Sequence, residues 1–167
     1  FASFTHTPFG LLMLSEPPVD QLPIPDFRTM PSERFERPSP DLLETIYICQ
    51  ERQDWYRDFM REIDESPLRF VGKETLRSDP RIVAEDIRKV IELDIDDRRN
   101  FPTWQEALRN FITHVDDAGI LVMCSGVVGN NNHRPLDPHE FRGFALADPV
   151  APLIFINGAD SKSAQMF

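Results

Sequence analysis

The chain has 167 residues, a formal net charge of −10 and a hydrophobic fraction of 41%. This length and composition suit one soluble globular domain, or one small core with an extended arm. No apolar run approaches the roughly 18 residues that a membrane-spanning helix needs, so we expect no membrane partner. The negative charge argues against a broad DNA-binding face in this chain, because phosphate contacts require clustered lysine and arginine.

The first 39 residues are rich in proline, with seven prolines that exclude a long helix. The same stretch carries too many large apolar side chains for a plain disordered linker. We therefore predict that residues 1–39 form an extended arm packed on the core, with a short strand near Gly10–Leu14. A flexible linker is the alternative, and the sequence leaves it open.

Three helices are predicted over residues 40–118. The first runs from Pro40 to about Glu65, with apolar residues at helical spacing and charges on the other face. Ser78-Asp79-Pro80 begins the second, because proline is tolerated at the first helical position. Thr103-Trp-Gln-Glu106 has the pattern of a capping box and begins the third, which Gly119 ends.

Three apolar runs follow, starting at Gly119, Phe141 and Leu153, and each has the length and composition of a strand. Gly158 is expected to turn the chain, Asp160 or Ser161 to cap a further helix, and Ser163-Ala-Gln-Met-Phe to start it. The order of helices first and strands second predicts an α+β fold with a small three-stranded sheet. Cys49 and Cys124 lie far apart in apolar stretches, which predicts reduced, buried thiols in a cytoplasmic protein.

From about Thr7 onward, and most strongly over Gly119–Phe167, the chain resembles the ImmA/IrrE family of zincin-like metallopeptidases. The segments that carry the resemblance are Gly119-Ile-Leu-Val, Gly143-Phe-Ala-Leu, Leu153-Ile-Phe-Ile-Asn-Gly-Ala-Asp and Ala164-Gln-Met-Phe. Pro40-Asp-Leu-Leu-Glu-Thr-Ile-Tyr and Phe70-Val-Gly are similar to members with a helix-turn-helix domain ahead of the peptidase. The family's His-Glu-x-x-His motif does not occur in these 167 residues, and it would follow directly after Phe167.

The resemblance implies that residues 119–167 are the N-terminal part of a zincin-like peptidase domain, and that the chain is the central segment of a longer protein. That protein would bind zinc and cleave a repressor or antitoxin-type protein in a stress, prophage or toxin–antitoxin response. DNA would be contacted only through the missing N-terminal domain, and a homodimer is left open. We expect no catalytic residue, no metal ligand and no bound cofactor in this chain alone.

Two groups of residues are the candidates for contact with a substrate. In zincin-like peptidases an extended substrate is expected to pair with an exposed edge strand, which the resemblance places at Ile154, Phe155, Ile156 and Asn157. A buried strand explains the same apolar side chains without a substrate, and Asn157 could instead close the turn before Gly158. The second group lies in a glycine- and asparagine-rich loop expected beside the cleft, although a plain turn explains that loop equally well. Its members are Asn130, Asn131, His133 and Arg134.

The four histidines do not form a zinc motif, because none has a partner four residues away with a glutamate between them. His133 and His139 are separated by two prolines and are expected on a loop. A non-enzymatic sensor or regulatory module, which would bind a protein or a small ligand between the helices and the sheet, is therefore the alternative to the peptidase.

Overall fold

A computed structural model describes residues 10, 13–16, 27–28, 38–75, 77–93 and 101–166. Within these residues the helices are α1 (Pro40–Glu62), α2 (Pro80–Val90), α3 (Trp104–Asp117) and the short α4 (Lys162–Gln165). The strands are β1 (Phe27–Arg28), β2 (Leu121–Ser125), β3 (Gly143–Leu146) and β4 (Leu153–Asn157). The predicted α+β fold, with helices ahead of a small sheet, is confirmed.

Short polar side chains begin each of the three longer helices. Ser39 accepts a hydrogen bond from the backbone N–H of Leu42, and Asp79 accepts one from Arg81. Thr103 accepts one from Glu106, as expected for the capping box. These bonds satisfy N–H groups that have no partner inside the helix, so local sequence fixes where each helix begins.

Gly119 follows the last residues of α3 with a φ of +84°, the left-handed conformation that ends a helix at low cost for glycine.

The predicted strand near residues 10–14 is wrong at Gly10 and Met13, which have the backbone of a tight helical turn. A continuous apolar run does not distinguish strand from helix by its period. Leu11, Leu12 and most of the predicted arm lie outside the described residues.

The strands form a mixed sheet in the order β1-β3-β4-β2. β4 pairs in parallel with β2, with Leu153 opposite Leu121, and antiparallel with β3, with Ile156 opposite Gly143. The two residues of β1 pair with β3 and join part of the predicted arm to the sheet. The limits predicted for the domains, at residues 39 and 118, stay predictions.

One face of the sheet packs against α1 to form the core. The inward side of α1 and alternate residues of the strands are almost completely buried, and they are joined by residues of the connection between β2 and β3. The cluster consists of Leu42, Ile46, Cys49, Val128, Leu136, Phe141, Phe144, Leu146, Leu153 and Phe155. The stacked rings of Phe144 and Phe155, whose centroids are 5.0 Å apart, lie in it.

The opposite face of the sheet is less covered. Ile154 and Ile156 alternate with the buried residues of β4 and are half-buried, and Cys124 and Ala145 are exposed. The prediction that Cys124 is buried is therefore wrong, because it lies on this second face, whereas Cys49 is buried as expected. No helix among the described residues is long and apolar enough to cross a membrane.

Candidate functional site

The carboxyl ends of the parallel pair β2 and β4 lie side by side. Ser125 is opposite Asn157, and the backbones of the two segments stay in contact at the next residues, Gly126 and Gly158. A Cβ atom on Gly126 would lie 3.0 Å from the backbone nitrogen of Ala159, and one on Gly158 would lie 3.0 Å from that of Gly126. Residues without a side chain are needed here because the two backbones approach so closely.

Asn157 organises this end of the sheet. Its side chain is fully buried and donates from Nδ2 to the carbonyl oxygen of Phe141, at 3.0 Å, and accepts at Oδ1 from the N–H of Ala159. Its own N–H donates to the carbonyl of Arg142. The residue predicted to bind a substrate backbone, or else to close a turn, therefore closes the turn after β4 and ties it to the start of β3.

The short helix α4 is fixed to the same turn. Ser161 accepts a hydrogen bond from the N–H of Ala164, and Gln165 donates from Nε2 to the carbonyls of Gly158 and Asp160, at 2.9 and 2.8 Å. Gln165 is only 6% exposed, so both bonds are shielded from water. The direction in which α4 leaves the sheet is thus set by buried contacts.

The prediction that β4 is an exposed edge strand is wrong. β3 and β2 both pair with it, so the backbone groups of Ile154 through Asn157 are used within the sheet on both sides. A substrate strand has no free ladder to join there. Ile154 and Ile156 present side chains to the second face, and Phe155 lies in the core.

Among the described residues, β2 has a strand partner on one side only. On its other side the N–H of Val122 donates to Oδ1 of Asp116 in α3, at 3.2 Å. The alternation of a strand directs the backbone groups of Cys124 to this same side, next to the end of the strand. β2, rather than β4, therefore supplies the edge that an extended peptide can join.

The surroundings of Cys124 include the beginning of α4. Neighbouring atoms partly desolvate this thiol and thereby raise its pKa, and the positive charge of Lys162 opposes that rise. Lys162 in turn lies over the ring of Trp104, with its Nζ atom 5.7 Å from the ring centroid. α4, the end of β2 and the start of α3 thus meet at one end of the second face.

The predicted cleft loop is attached to α1 instead of to β4. Arg134 forms ion pairs with Asp41, at 2.6 Å, and with Glu44, at 2.6 Å, and the hydrogen bond to Asp41 raises the pKa of Arg134 above its usual value. His133 is exposed, and its N–H donates to Oδ1 of Asn131 in a local turn. Asn130 has a φ of +63°, which agrees with the expected tight turn.

The base of this loop adjoins the end of β4 through Gly126, but its tip contacts the first turns of α1. The structure therefore does not bring the two predicted groups of site residues together. The apolar character of residues 153–156 indicates that their side chains are covered, but it does not indicate whether other strands pair with one or both sides of β4. The sequence likewise carries no signal that Arg134 pairs with residues about 90 positions away.

Within the described part of the chain, no group of three or more His, Cys, Asp or Glu side chains is placed to hold a metal ion.

No protein-family model, curated protein or solved structure matches the chain.

Proposed function

We propose that this chain is the central segment of an ImmA/IrrE-like zinc metallopeptidase and transcriptional regulator that cleaves a repressor or antitoxin-type protein in the cytoplasm. The observation that carries the proposal is the path of α4. It leaves the end of β4 through a turn fixed by Asn157, is capped by Ser161 and is anchored by Gln165. The resemblance assigns the metal-binding helix to the continuation of this element.

The second face of the sheet supports the same proposal. Ile154 and Ile156 are half-buried within the described structure, next to the exposed Cys124. Burying such residues stabilises a fold by about 1.5–3 kcal/mol per large apolar side chain. Because Ile154 and Ile156 are already half-buried, a longer helix that continues α4 would gain part of this energy by covering the face, and would come to lie beside the end of β2.

The edge of β2 then takes the role first predicted for β4. A peptide strand that pairs with β2 would bind through its backbone, which makes binding largely independent of the substrate's side chains. The backbone groups of Cys124 lie at the end of β2 nearest α4. Residues of this chain would thus position the substrate, and the continuation of α4 would carry the chemistry.

In the complete protein, zinc would polarise the scissile carbonyl of the substrate and activate a water molecule. The described residues do not provide a fitting set of ligands, so no catalytic step is assigned to them. We propose that the ligands and the general base lie in a His-Glu-x-x-His segment beyond Phe167, that DNA is contacted by a separate N-terminal domain, and that assembly as a homodimer is compatible with this arrangement.

The test reads the codons that follow Phe167 in the gene and measures zinc in the natural protein. A His-Glu-x-x-His sequence there, with one zinc per chain that is lost when either histidine is changed to alanine, supports the peptidase. Its absence overturns the proposal and favours the non-enzymatic sensor module. Calorimetric titration of the 167-residue chain with zinc should show no tight stoichiometric site, and a submicromolar site would show that the chain's own histidines bind metal.

A further inference from the structure

We propose that the outer side of α1 is a docking surface for a basic amphipathic helix of a partner protein. Trp55, Phe59 and Ile63 follow one another at intervals of four residues and are 69%, 43% and 52% exposed. The rings of Trp55 and Phe59 stack with their centroids 6.2 Å apart and their planes within 7°. A row of large apolar side chains at this spacing on a solvent-facing helix is a common mark of an interaction site.

These residues are not needed for the core. The inward side of α1 is formed by Leu42, Ile46, Cys49 and Gln53, which are all at most 7% exposed. On a helix with 3.6 residues per turn, Trp55 lies roughly opposite Ile46 and Gln53. The exposure of the stacked aromatic pair to water is therefore unfavourable, and the pair does not contribute to the packing between α1 and the sheet.

Carboxylates surround the aromatic pair. Glu51 lies one turn before Trp55, Asp58 three residues after it, and Glu62 three residues after Phe59; all three are exposed. Asp58 is 3.7 Å from Arg61, but both side chains are about two-thirds exposed and the pair is weak. No cation among the described residues lies within salt-bridge distance of Glu51 or Glu62. Besides Arg61, Arg52 is an exposed cation near the pair, and its Nη1 atom lies 3.9 Å from the sulfur of Met123 in β2. The surface thus combines aromatic rings with three exposed carboxylates.

This combination selects the chemistry of the partner. An arginine or lysine side chain lies favourably over a tryptophan face, and its charge is also complementary to the neighbouring carboxylates. A nucleic acid would be repelled by the same carboxylates. A symmetric contact between two copies of this face would place like charges opposite one another. A basic protein segment is therefore favoured over DNA and over a second copy.

The geometry favours a helical segment. Trp55 and Ile63 are eight residues apart, which corresponds to about 12 Å along the helix axis. Two turns of a partner helix have the same length, and apolar residues three and four apart would contact the row while flanking basic residues reach the carboxylates. The inference stands apart from the proposed peptidase function, since it uses none of the residues near α4 or the second face.

The experiment uses the full 167-residue chain with Trp104→Phe, so that Trp55 is the one remaining tryptophan. The probe is a fluorescently labelled synthetic 18-residue helix of leucine and arginine with leucines three and four residues apart; a matched leucine and glutamate helix is the control. We expect the basic peptide to bind and to shift the Trp55 emission to the blue. Trp55→Ala or Phe59→Ala should each weaken binding by about tenfold or more.

The charges are tested separately. Glu51→Gln combined with Glu62→Gln should weaken binding of the basic peptide several-fold at low salt and less at high salt. Ile82→Ala, which removes an exposed apolar side chain from α2, is the matched control and should leave binding unchanged. Circular dichroism of each variant checks that α1 is intact.

Three results would overturn the proposal. The first is equal binding by the parent chain, the Trp55→Ala variant and the Phe59→Ala variant, which would mean a diffuse attraction to a negatively charged protein. The second is a blue-shifted, acrylamide-protected Trp55 in the free monomer, which would mean that the chain itself covers this face. The third is a concentration-dependent dimer that Trp55→Ala dissociates, which would identify a second copy as the occupant.

Discussion

Glu140 accepts two hydrogen bonds from Ser39, one from the backbone N–H and one from the hydroxyl group, and each donor–acceptor distance is 2.7 Å. The hydroxyl of Ser39 also accepts from Leu42, so the same residue caps α1 and binds the segment that leads into β3. Glu140 is 5% exposed. A buried carboxylate needs such donors, because an unpaired one would strongly oppose folding.

Replacing Glu140 by alanine should lower the free energy of unfolding by about 2–3 kcal/mol, because hydrogen bonds to a charged group are lost and the backbone N–H of Ser39 is left without its partner. Urea unfolding followed by circular dichroism measures the change. Glu85→Ala, at an exposed position of α2, is the control and should change stability by less than about 0.5 kcal/mol. Equal effects of the two substitutions would show that the Ser39 contact is not formed in solution.

Gln53 is the second buried polar link between α1 and the sheet. Its Nε2 atom donates to the carbonyl oxygens of Leu146 and Ala151, at 2.9 and 2.8 Å. Gln53→Leu keeps the apolar volume but leaves both carbonyls unsatisfied, so we expect a loss of about 2 kcal/mol in urea unfolding. Gln105→Leu, on the exposed side of α3, should be near neutral. A stabilised Gln53→Leu protein would contradict the assigned bonds.

Gly143 is required where β3 begins to pair with β4. A Cβ atom at this position would lie 2.5 Å from the carbonyl oxygen of Phe155, a backbone atom that moves only if the strand pair shifts. Gly143→Ala should therefore destabilise the protein by about 1–3 kcal/mol and lower its melting temperature. Ala145→Ser is the control in the same strand, since Ala145 is exposed. Similar melting temperatures for the two variants would refute the close approach of β3 to β4.

The two cysteines should differ in reactivity. Cys124 is exposed, whereas Cys49 is buried and its pKa is raised by burial to about 12. At pH 8 only about one Cys49 thiol in 10,000 would be ionised, so iodoacetamide should label Cys124 alone in the native protein. Mass spectrometry reads the labelled sites, and a Cys124→Ser variant should gain a label only after unfolding in urea. Native labelling at Cys49 would contradict its burial.

The same thiol predicts a pH dependence of stability. The ordinary pKa of the cysteine thiol is 9.0 and that of folded Cys49 is about 12, so folding favours the neutral form. The contribution of Cys49 is complete below about pH 9 and is lost as pH rises from 9 towards 12, by at most about 1.4 kcal/mol per pH unit. The stability difference between the parent protein and Cys49→Ala should therefore shrink above pH 9. A constant difference would show that Cys49 ionises normally.

The helices were predictable from sequence because their signals are local. Asp79 and Thr103 lie within three residues of the N–H groups from which their side chains accept hydrogen bonds. Gly119 takes the backbone conformation that its position after α3 indicates. Such contacts depend on a few adjacent residues and little on the remainder of the fold. The end of the third strand and the start of α4 are indicated by local signals too, since Gly158 turns the chain and Ser161 caps the helix there.

The order of the strands was not predictable in the same way. Placing β4 between β3 and β2 depends on pairing between Leu121 and Leu153, which are far apart in sequence. Neither the pattern of β4 nor its turn specifies which strand becomes its second neighbour. The exposure of Cys124 follows from that order, because only the finished sheet determines which face each residue of β2 presents.

The candidate loop shows the same limit for charges. Arg134 was correctly placed on a loop, but its partners Asp41 and Glu44 belong to the first turns of α1. The helix dipole accounts for acidic residues in a first turn, and the asparagines account for the loop, so nothing in either segment indicates the other. The ion pairs change the role of Arg134 from a candidate substrate contact to an attachment of the loop.

The contact between Ser39 and Glu140 spans 101 residues of sequence. Because a ribosome delivers the chain from its amino end, Ile46 in α1 is synthesised about 5–20 s before Phe155, which packs in the same core, at rates of about 5–20 residues per second. During that interval the nascent helix has no sheet to cover its inner side. A chaperone that recognises apolar helices would therefore have its best opportunity before β4 leaves the exit tunnel.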